Sequence, residues 1–275
     1  MKILYTTDLH GDRDRYRRVE ELAAKLGVAA VVNGGDLLPH LKPILEVQRR
    51  FIEEDLARHV ERLGAAGIHF LSILGNDDLA ACDETFRALC TRFPTAHSLA
   101  GAKVALGGYE FIGFDLVADY PFRLKDRCRR DRGDFVLPPQ RGTAILSSGS
   151  GLRELPDWPA YVLSLQTIEE ELARLPAPDD PHRAVYVLHH PPAGVGLDCC
   201  ADGRRVGSRA VHRFLQKLQP RLSLHGHIHE SPEMTGVWCT RIGRTVAIQP
   251  GSRKELTGVL IDLGTLSTVL KNDNI

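Results

Sequence analysis

Residues 3–10 read Ile3-Leu4-Tyr5-Thr6-Thr7-Asp8-Leu9-His10, a β-prone apolar run that passes straight into a carboxylate and an imidazole. Ile3 to Thr6 reads as a strand. After it, Tyr16, Val19, Leu22, Ala23 and Leu26 recur at helical spacing. Ala29 to Val32 is a second strand, rich in β-branched residues, and it leads to Gly34-Gly35-Asp36. Ile44, Val47, Phe51, Leu56, Val60 and Leu63 mark a long amphipathic helix that ends near Gly64 and Gly67. Phe70 to Leu74 is a third strand, followed by Gly75-Asn76-Asp77-Asp78. This β-α-β-α-β order predicts an α/β fold, a parallel sheet with helices packed on it.

Further along, Lys103 to Leu106 and Phe111 to Phe114 predict a hairpin around Gly107-Gly108. From Asp119 to Pro159 no long period survives. Arg123, Lys125, Arg127, Arg129, Arg130, Arg132, Arg141 and Arg153 stand there among acids, and Ser147 to Gly151 is rich in donors. A structureless stretch of that length is unusual inside a compact domain, so residues 119–159 read as an insertion or cap on one domain spanning 1–275. Val162, Leu165, Ile168, Leu172 and Leu175 then describe a helix, and Pro176 to Pro181 a linker. A strand at Ala184 to Leu188 leads to His189-His190. Ser208 caps a helix carrying Val211, Phe214, Leu215 and Leu218. The strand Arg221 to Leu224 leads to His225-Gly226-His227-Ile228-His229. Val246 to Gln249, Leu256 to Asp262 and Leu266 to Leu270 complete the chain as β-structure.

Five polar clusters therefore follow five strands. In parallel α/β sheets, functional groups gather outside the carboxyl ends of strands, which places all five on one edge of one sheet. Each cluster alone has an ordinary explanation as a turn, a helix cap or a hydrogen-bonded histidine; His-Gly-His-x-His is the strongest single signal. The side chains collected are Asp8, His10, Asp36, Asn76, His189, His227 and His229. Carboxylate with imidazole and no thiolate suits Mn, Fe, Zn, Ni or Co. Seven groups exceed the needs of one four-coordinate ion. They fit two divalent transition-metal ions sharing a carboxylate, at a separation of roughly 3.5–4 Å. His227 and His229 point the same way if their segment is extended; in a tight loop they reach separate ions.

Composition narrows the function classes. Of 275 residues 43% are hydrophobic, enough for a large core, and 35 basic residues balance 35 acidic ones. Zero net charge argues against a dominant polyanion-binding surface and against tight binding of duplex nucleic acid. No apolar run approaches the roughly 18 residues that span a bilayer, and the start turns polar too soon for a signal peptide. None of the six cysteines forms a Cys-x-x-Cys pair. Reduced thiols in a cytoplasmic protein are the expectation.

Asp8-x-His10, Gly35-Asp36, Gly75-Asn76, His189 and Gly226-His227-x-His229 resemble, in order, the five blocks of the calcineurin-like metallophosphoesterase superfamily. His190-Pro191-Pro192 and Gln249-Pro250-Gly251-Ser252 also resemble its small prokaryotic members. The resemblance implies a four-layer sandwich, two mixed β-sheets flanked by α-helices, with a dinuclear centre. It implies Asp8, His10 and His229 on the first ion, Asn76, His189 and His227 on the second, and Asp36 bridging. One position departs. Many members carry histidine where this chain has Asp77, and that histidine contacts phosphate and protonates the leaving group; His40, His190 and His225 are the candidates to replace it. The activity implied is hydrolysis of a small phosphate ester by a water or hydroxide held between two metals, with Asp36, Asn76 and Asp77 at the catalytic centre. Small phosphodiesters or nucleotides are favoured over phosphomonoesters, because a diester with a good leaving group suffers least from the missing acid. The alternatives are a single-strand nuclease and a non-catalytic binding module on the same fold.

Overall fold

In the first strand, β1 (Lys2–Thr6), Ile3 and Tyr5 point one way and Leu4 the other, and all three are fully buried. A strand covered on both faces reads as a continuous apolar run, and this one has a layer on each side. The computed structural model describes residues 1–253 and 255–272, the side chains of 269–272 excepted. Helix α1 (Arg13–Leu26) follows β1. Asp12 caps its start by accepting from the backbone N–H of Asp14 and Arg15, and Gly27 closes it in the left-handed region. Next come β2 (Ala30–Asn33), α2 (Ile44–Phe51) and α3 (Ala57–Ala65), the two helices joined by a π-helical turn, Ile52–Leu56. The expected long helix is thus present with a bulge at its middle. Strand β3 (His69–Ser72), helix α4 (Asp83–Arg92) and the short strand β4 (Ala96–Ser98) complete the first half.

The second half begins with the hairpin β5 (Lys103–Leu106) and β6 (Tyr109–Phe114). Residues 115–157 hold β7 (Val117–Ala118), β8 (Cys128–Arg129) and the antiparallel pair β9 (Ala144–Ser148) and β10 (Gly151–Leu155). The helix expected from Val162 to Leu175 is two helices, α5 (Trp158–Ser164) and α6 (Ile168–Leu172). Leu165 leaves the helical region, and Thr167 restarts a helix through a capping box with Glu170. Then follow β11 (Ala184–Leu188), α7 (Arg209–Leu218), β12 (Leu222–Leu224), α8 (Ser231–Thr235), β13 (Cys239–Ile242), β14 (Thr245–Ile248), β15 (Thr257–Asp262) and β16 (Thr268–Asn272). The last strand starts two residues later than expected because Leu266, at φ 57°, belongs to the turn before it.

Two six-stranded sheets result, ordered β16-β15-β1-β2-β3-β4 and β13-β14-β12-β11-β6-β5. Both are mixed: the first is parallel from β1 to β4 and antiparallel on its β15-β16 side, and the second is parallel in the middle and antiparallel at both edges. Ile3, Tyr5, Val32 and Leu71 of the first sheet pack on Phe111, Val185, Val187 and Leu224 of the second. Leu4, Val31 and Phe70 pack outward on α1, α2, α3 and α4, and Tyr186 and Leu188 of the second sheet pack on α6 and α7. The order helix, sheet, sheet, helix is the four-layer sandwich. One expectation is corrected here. The five polar clusters do not lie on the edge of a single sheet, because β11 pairs with β6 and β12 rather than with β1, β2 or β3. They lie at the adjoining rims of two sheets. Among the described residues no helix is long and apolar enough to cross a membrane.

Candidate metal centre

Asp8 follows β1, Asp36 follows β2, Asn76 follows β3, His189 follows β11 and His227 follows β12, each within four residues of its strand. Their loops are too tight for ordinary backbone. Asp8, His10, Asp36 and His227 all have positive φ, between 48° and 71°, and they are four of the six non-glycine residues that do so among those described. Backbone held there costs about 1–3 kcal/mol per residue and gathers at functional sites. Neighbouring glycines make the approach feasible: a Cβ on Gly75 would stand 2.2 Å from Asp36 Oδ1, and one on Gly226 2.7 Å from Asp8 Oδ2.

The side chains meet. Ligand atoms of Asp8, His10, Asp36 and His229 all lie within 4.8 Å of one another. His10 Nε2 and His229 Nε2 are 3.2 Å apart, and His229 Nε2 is 3.3 Å from Asp8 Oδ1. On the other side, His189 Nε2 is 2.9 Å from Asn76 Oδ1 and 3.4 Å from Asp36 Oδ2. Asp36 therefore belongs to both groups. The His227 ring stands 5.3 Å from that of His189, whereas His229 stands 5.0 Å from His10. The positive φ of His227 turns its segment out of the extended form, so the two histidines serve opposite sides of the cluster.

Charge and satisfaction point to a cation. Asp8 is fully buried, and its Oδ2 has no hydrogen-bond partner. Such an atom is costly unless something positive sits against it. Burial pushes the Asp8 and Asp36 carboxyls up, but His229 beside the one and His189 beside the other hold both below the usual range. Burial disfavours charge on these imidazoles too, yet the neighbouring aspartates raise His189 and His229 to about 9. Without a metal, two imidazolium protons thus balance two buried carboxylates. His189 Nδ1 donates to the Gly34 carbonyl at 2.7 Å, which leaves Nε2 aimed at the cluster. Burial drives His227 well below 6.5, toward the neutral form that binds metal. The Asp and His cluster fits a metal site on this chemistry.

The calcineurin-like phosphoesterase family model matches residues 1–231. The chain belongs to this family. No curated protein matches it. Among solved structures, one from Thermus thermophilus is 20% identical, with 98% of each chain covered and a TM-score of 0.60. A dimetal phosphatase from Danio rerio is 14% identical, covering 99% of this chain and 95% of its own, at TM-score 0.53. At these identities the likeness is one of fold.

Within the calcineurin-like site, Asp77 occupies the rim. Its backbone N–H donates to Asp36 Oδ1 at 2.8 Å, and its Oδ1 accepts from Asn76 Nδ2 at 2.9 Å. Its Oδ2 lies 3.6 Å from His40 Nδ1 and 3.9 Å from His10 Nδ1. His40 is 59% exposed, and the Asp77 carboxylate beside it raises its pKa. Of the three replacement candidates, only His40 is free to act. His190 Nδ1 accepts from the Ala118 N–H while Nε2 faces the Val206 carbonyl at 2.9 Å. His225 is fully buried between Ser223 Oγ and the carbonyls of Leu188 and His190. Burial drives His190 to about 4 and His225 to about 3, so both stay neutral as structural supports.

Several supports of this calcineurin-like centre carry no role in the sequence motifs. Asp78, fully buried, accepts from the backbone N–H of Gly75, Leu37 and Leu38 and ties the second loop to the third. Burial and the charge of Asp36 raise it to about 7. Gln48 on α2 donates to the Asp77 carbonyl at 2.8 Å and accepts from the Leu79 N–H. Its cue is a polar side chain four residues after Ile44, on the apolar stripe. Arg15 donates to the Asp8 carbonyl, Ser252 does the same, and Gln249 donates to the Ile228 carbonyl. The late Gln249 to Ser252 segment therefore clamps the first loop and the last.

Proposed function

We propose that this protein is a metal-dependent hydrolase of phosphate esters that holds two divalent ions and prefers small phosphodiesters or nucleotides. The observation that carries the reading is Asp36, which faces Asp8, His10 and His229 on one side and His189 with Asn76 on the other. A carboxylate with a ligand set on each flank is what a shared site requires. Asp8, His10 and His229 hold one ion in this reading, Asn76, His189 and His227 the other, and Asp36 bridges. When bound, such ions supply Lewis acidity and lower the pKa of water, the chemistry that phosphate-ester hydrolysis needs. Mn, Fe, Zn, Ni and Co all suit the donors.

The chain's own groups do the rest. The Asn76 carboxamide, fixed by His189 and Asp77, orients oxygen ligands at the centre. Asp77 adds negative charge at the rim, and that charge selects among substrates. A monoester dianion is repelled more strongly than a diester monoanion. Hence the diester preference. His40, 3.6 Å from the Asp77 carboxylate, is the rim group able to bring a proton to the departing alkoxide.

Substitution Asp36→Asn tests the reading. It retains size and loses the shared charge. We expect bound metal to fall from two ions to one or none, and turnover of bis(p-nitrophenyl) phosphate to drop by at least roughly 100-fold. Full metal content by mass spectrometry with unchanged turnover would reject the two-ion site.

A further inference from the structure

Residues 119–159 reach the metal centre through a row of rings. Tyr120 stands beside His227, with centroids 5.9 Å apart, and Phe122 stands beside Tyr120 at 5.8 Å. Tyr120 is held firmly. Its hydroxyl donates to the Leu124 carbonyl at 2.7 Å, and the Lys125 ammonium sits 4.8 Å over its ring and donates to its carbonyl. Lys125 is itself fully buried against Asp119 at 2.7 Å, and Asp119 also accepts from Trp158 Nε1 and Gln140 Nε2, each at 3.0 Å. Burying such a pair is expensive. Here it locks one aromatic wall against an expected metal ligand.

Phe122 is placed differently. It is 60% exposed, with the Arg141 guanidinium 5.6 Å from its ring centroid. A lone exposed phenylalanine is commonplace. This one ends a continuous row of rings that begins at the metal centre, and a guanidinium stands over its ring. A flat, polarisable group attached to a metal-held phosphate would lie over it.

We infer that Phe122 is a specificity residue that stacks a nucleobase, so that the esters this site prefers are nucleoside phosphodiesters. The inference rests on the phosphoesterase reading of the same site. Every nucleobase has a π-face, and stacking on a protein ring tolerates all of them; Arg141 adds a cation–π contact to a base held there. A methyl ester offers the same phosphate and nothing for Phe122.

The test compares p-nitrophenyl thymidine 5′-phosphate with p-nitrophenyl methyl phosphate, which share a leaving group. In Phe122→Ala the ratio of kcat/KM, thymidine over methyl, falls roughly tenfold, chiefly through KM for the thymidine ester. In Phe122→Trp the ratio is kept. An unchanged ratio in Phe122→Ala overturns the inference while leaving the phosphoesterase reading intact. Wild-type protein that hydrolyses neither ester fails that reading instead. Saturation-transfer NMR with thymidine 5′-monophosphate supplies a reading independent of turnover. The thymine H6 proton receives transfer in the wild type and loses most of it in Phe122→Ala; equal transfer in both overturns the inference.

Discussion

Two imidazoles, His189 and His229, carry the protons that neutralise two buried aspartates. A cation entering the cluster takes over that task, since a histidine must be neutral to bind metal. Metal added to the metal-free protein at pH 7.5 should therefore release up to about two protons. The signs follow from the raised values. Below about 9 both imidazoles are charged and must give up a proton; as pH rises through about 9 they are already neutral, and the release fades. Calorimetry in two buffers of different ionisation enthalpy measures this, and a release independent of pH up to 10 would contradict it. His40 sets a second residue-level expectation. With Asp77 beside it and most of its ring in solvent, it is the mobile proton carrier at the rim. His40→Ala should slow a diester with an alkoxide leaving group roughly 10- to 100-fold, and the p-nitrophenyl ester hardly at all. Equal slowing of both esters would argue against proton delivery.

Among the elements, the segment between β7 and α5 is held by charge as much as by apolar packing. Its small core is Val117, Cys128, Ala144, Trp158 and Val162, and the Lys125–Asp119 pair lies against it with no exposure on either side chain. Lys125→Met keeps most of the unbranched side chain and leaves the Asp119 charge without its cation, which should cost about 3–5 kcal/mol. Urea unfolding followed by the fluorescence of Trp158 and Trp238 measures the loss, and a cost below about 1 kcal/mol would mean that the carboxylate finds water instead. None of this showed in the sequence. Lys125 and Asp119 lie among interspersed charges in a stretch without a period, and their partners arrive from Gln140 and Trp158, 21 and 39 residues from Asp119. The strands that lead to the five clusters were plain, because both faces of a central strand must be apolar and the polar residue after it then stands out. Short β4 and β13 were not, since three or four residues at a sheet edge carry too little pattern.

At the scale of the molecule, the expected ligands come from two sheets, so bound metal ties the sandwich together along one rim. A ligand that binds only the folded state adds about 4 kcal/mol at a thousand times its Kd. For a chain of this size, chelation should lower Tm on the order of 10 °C. Thermal unfolding with and without EDTA reads this directly, and an unchanged Tm would mean that the rim holds no tightly bound ion. The sequence alone determined the five strands that lead to the polar clusters, the helical segments of α1, α2 with α3, and α7, and the seven expected ligands just past apolar strands, because side-chain period and composition are local properties of the chain. It did not determine which strands share a sheet, which way His227 and His229 face, why His190 and His225 are unavailable as acids, or that Lys125 is buried. Those depend on contacts between residues far apart along the chain, and a hydrogen bond or ion pair leaves no period in the sequence when its two halves are brought together only by the packing of one layer on the next.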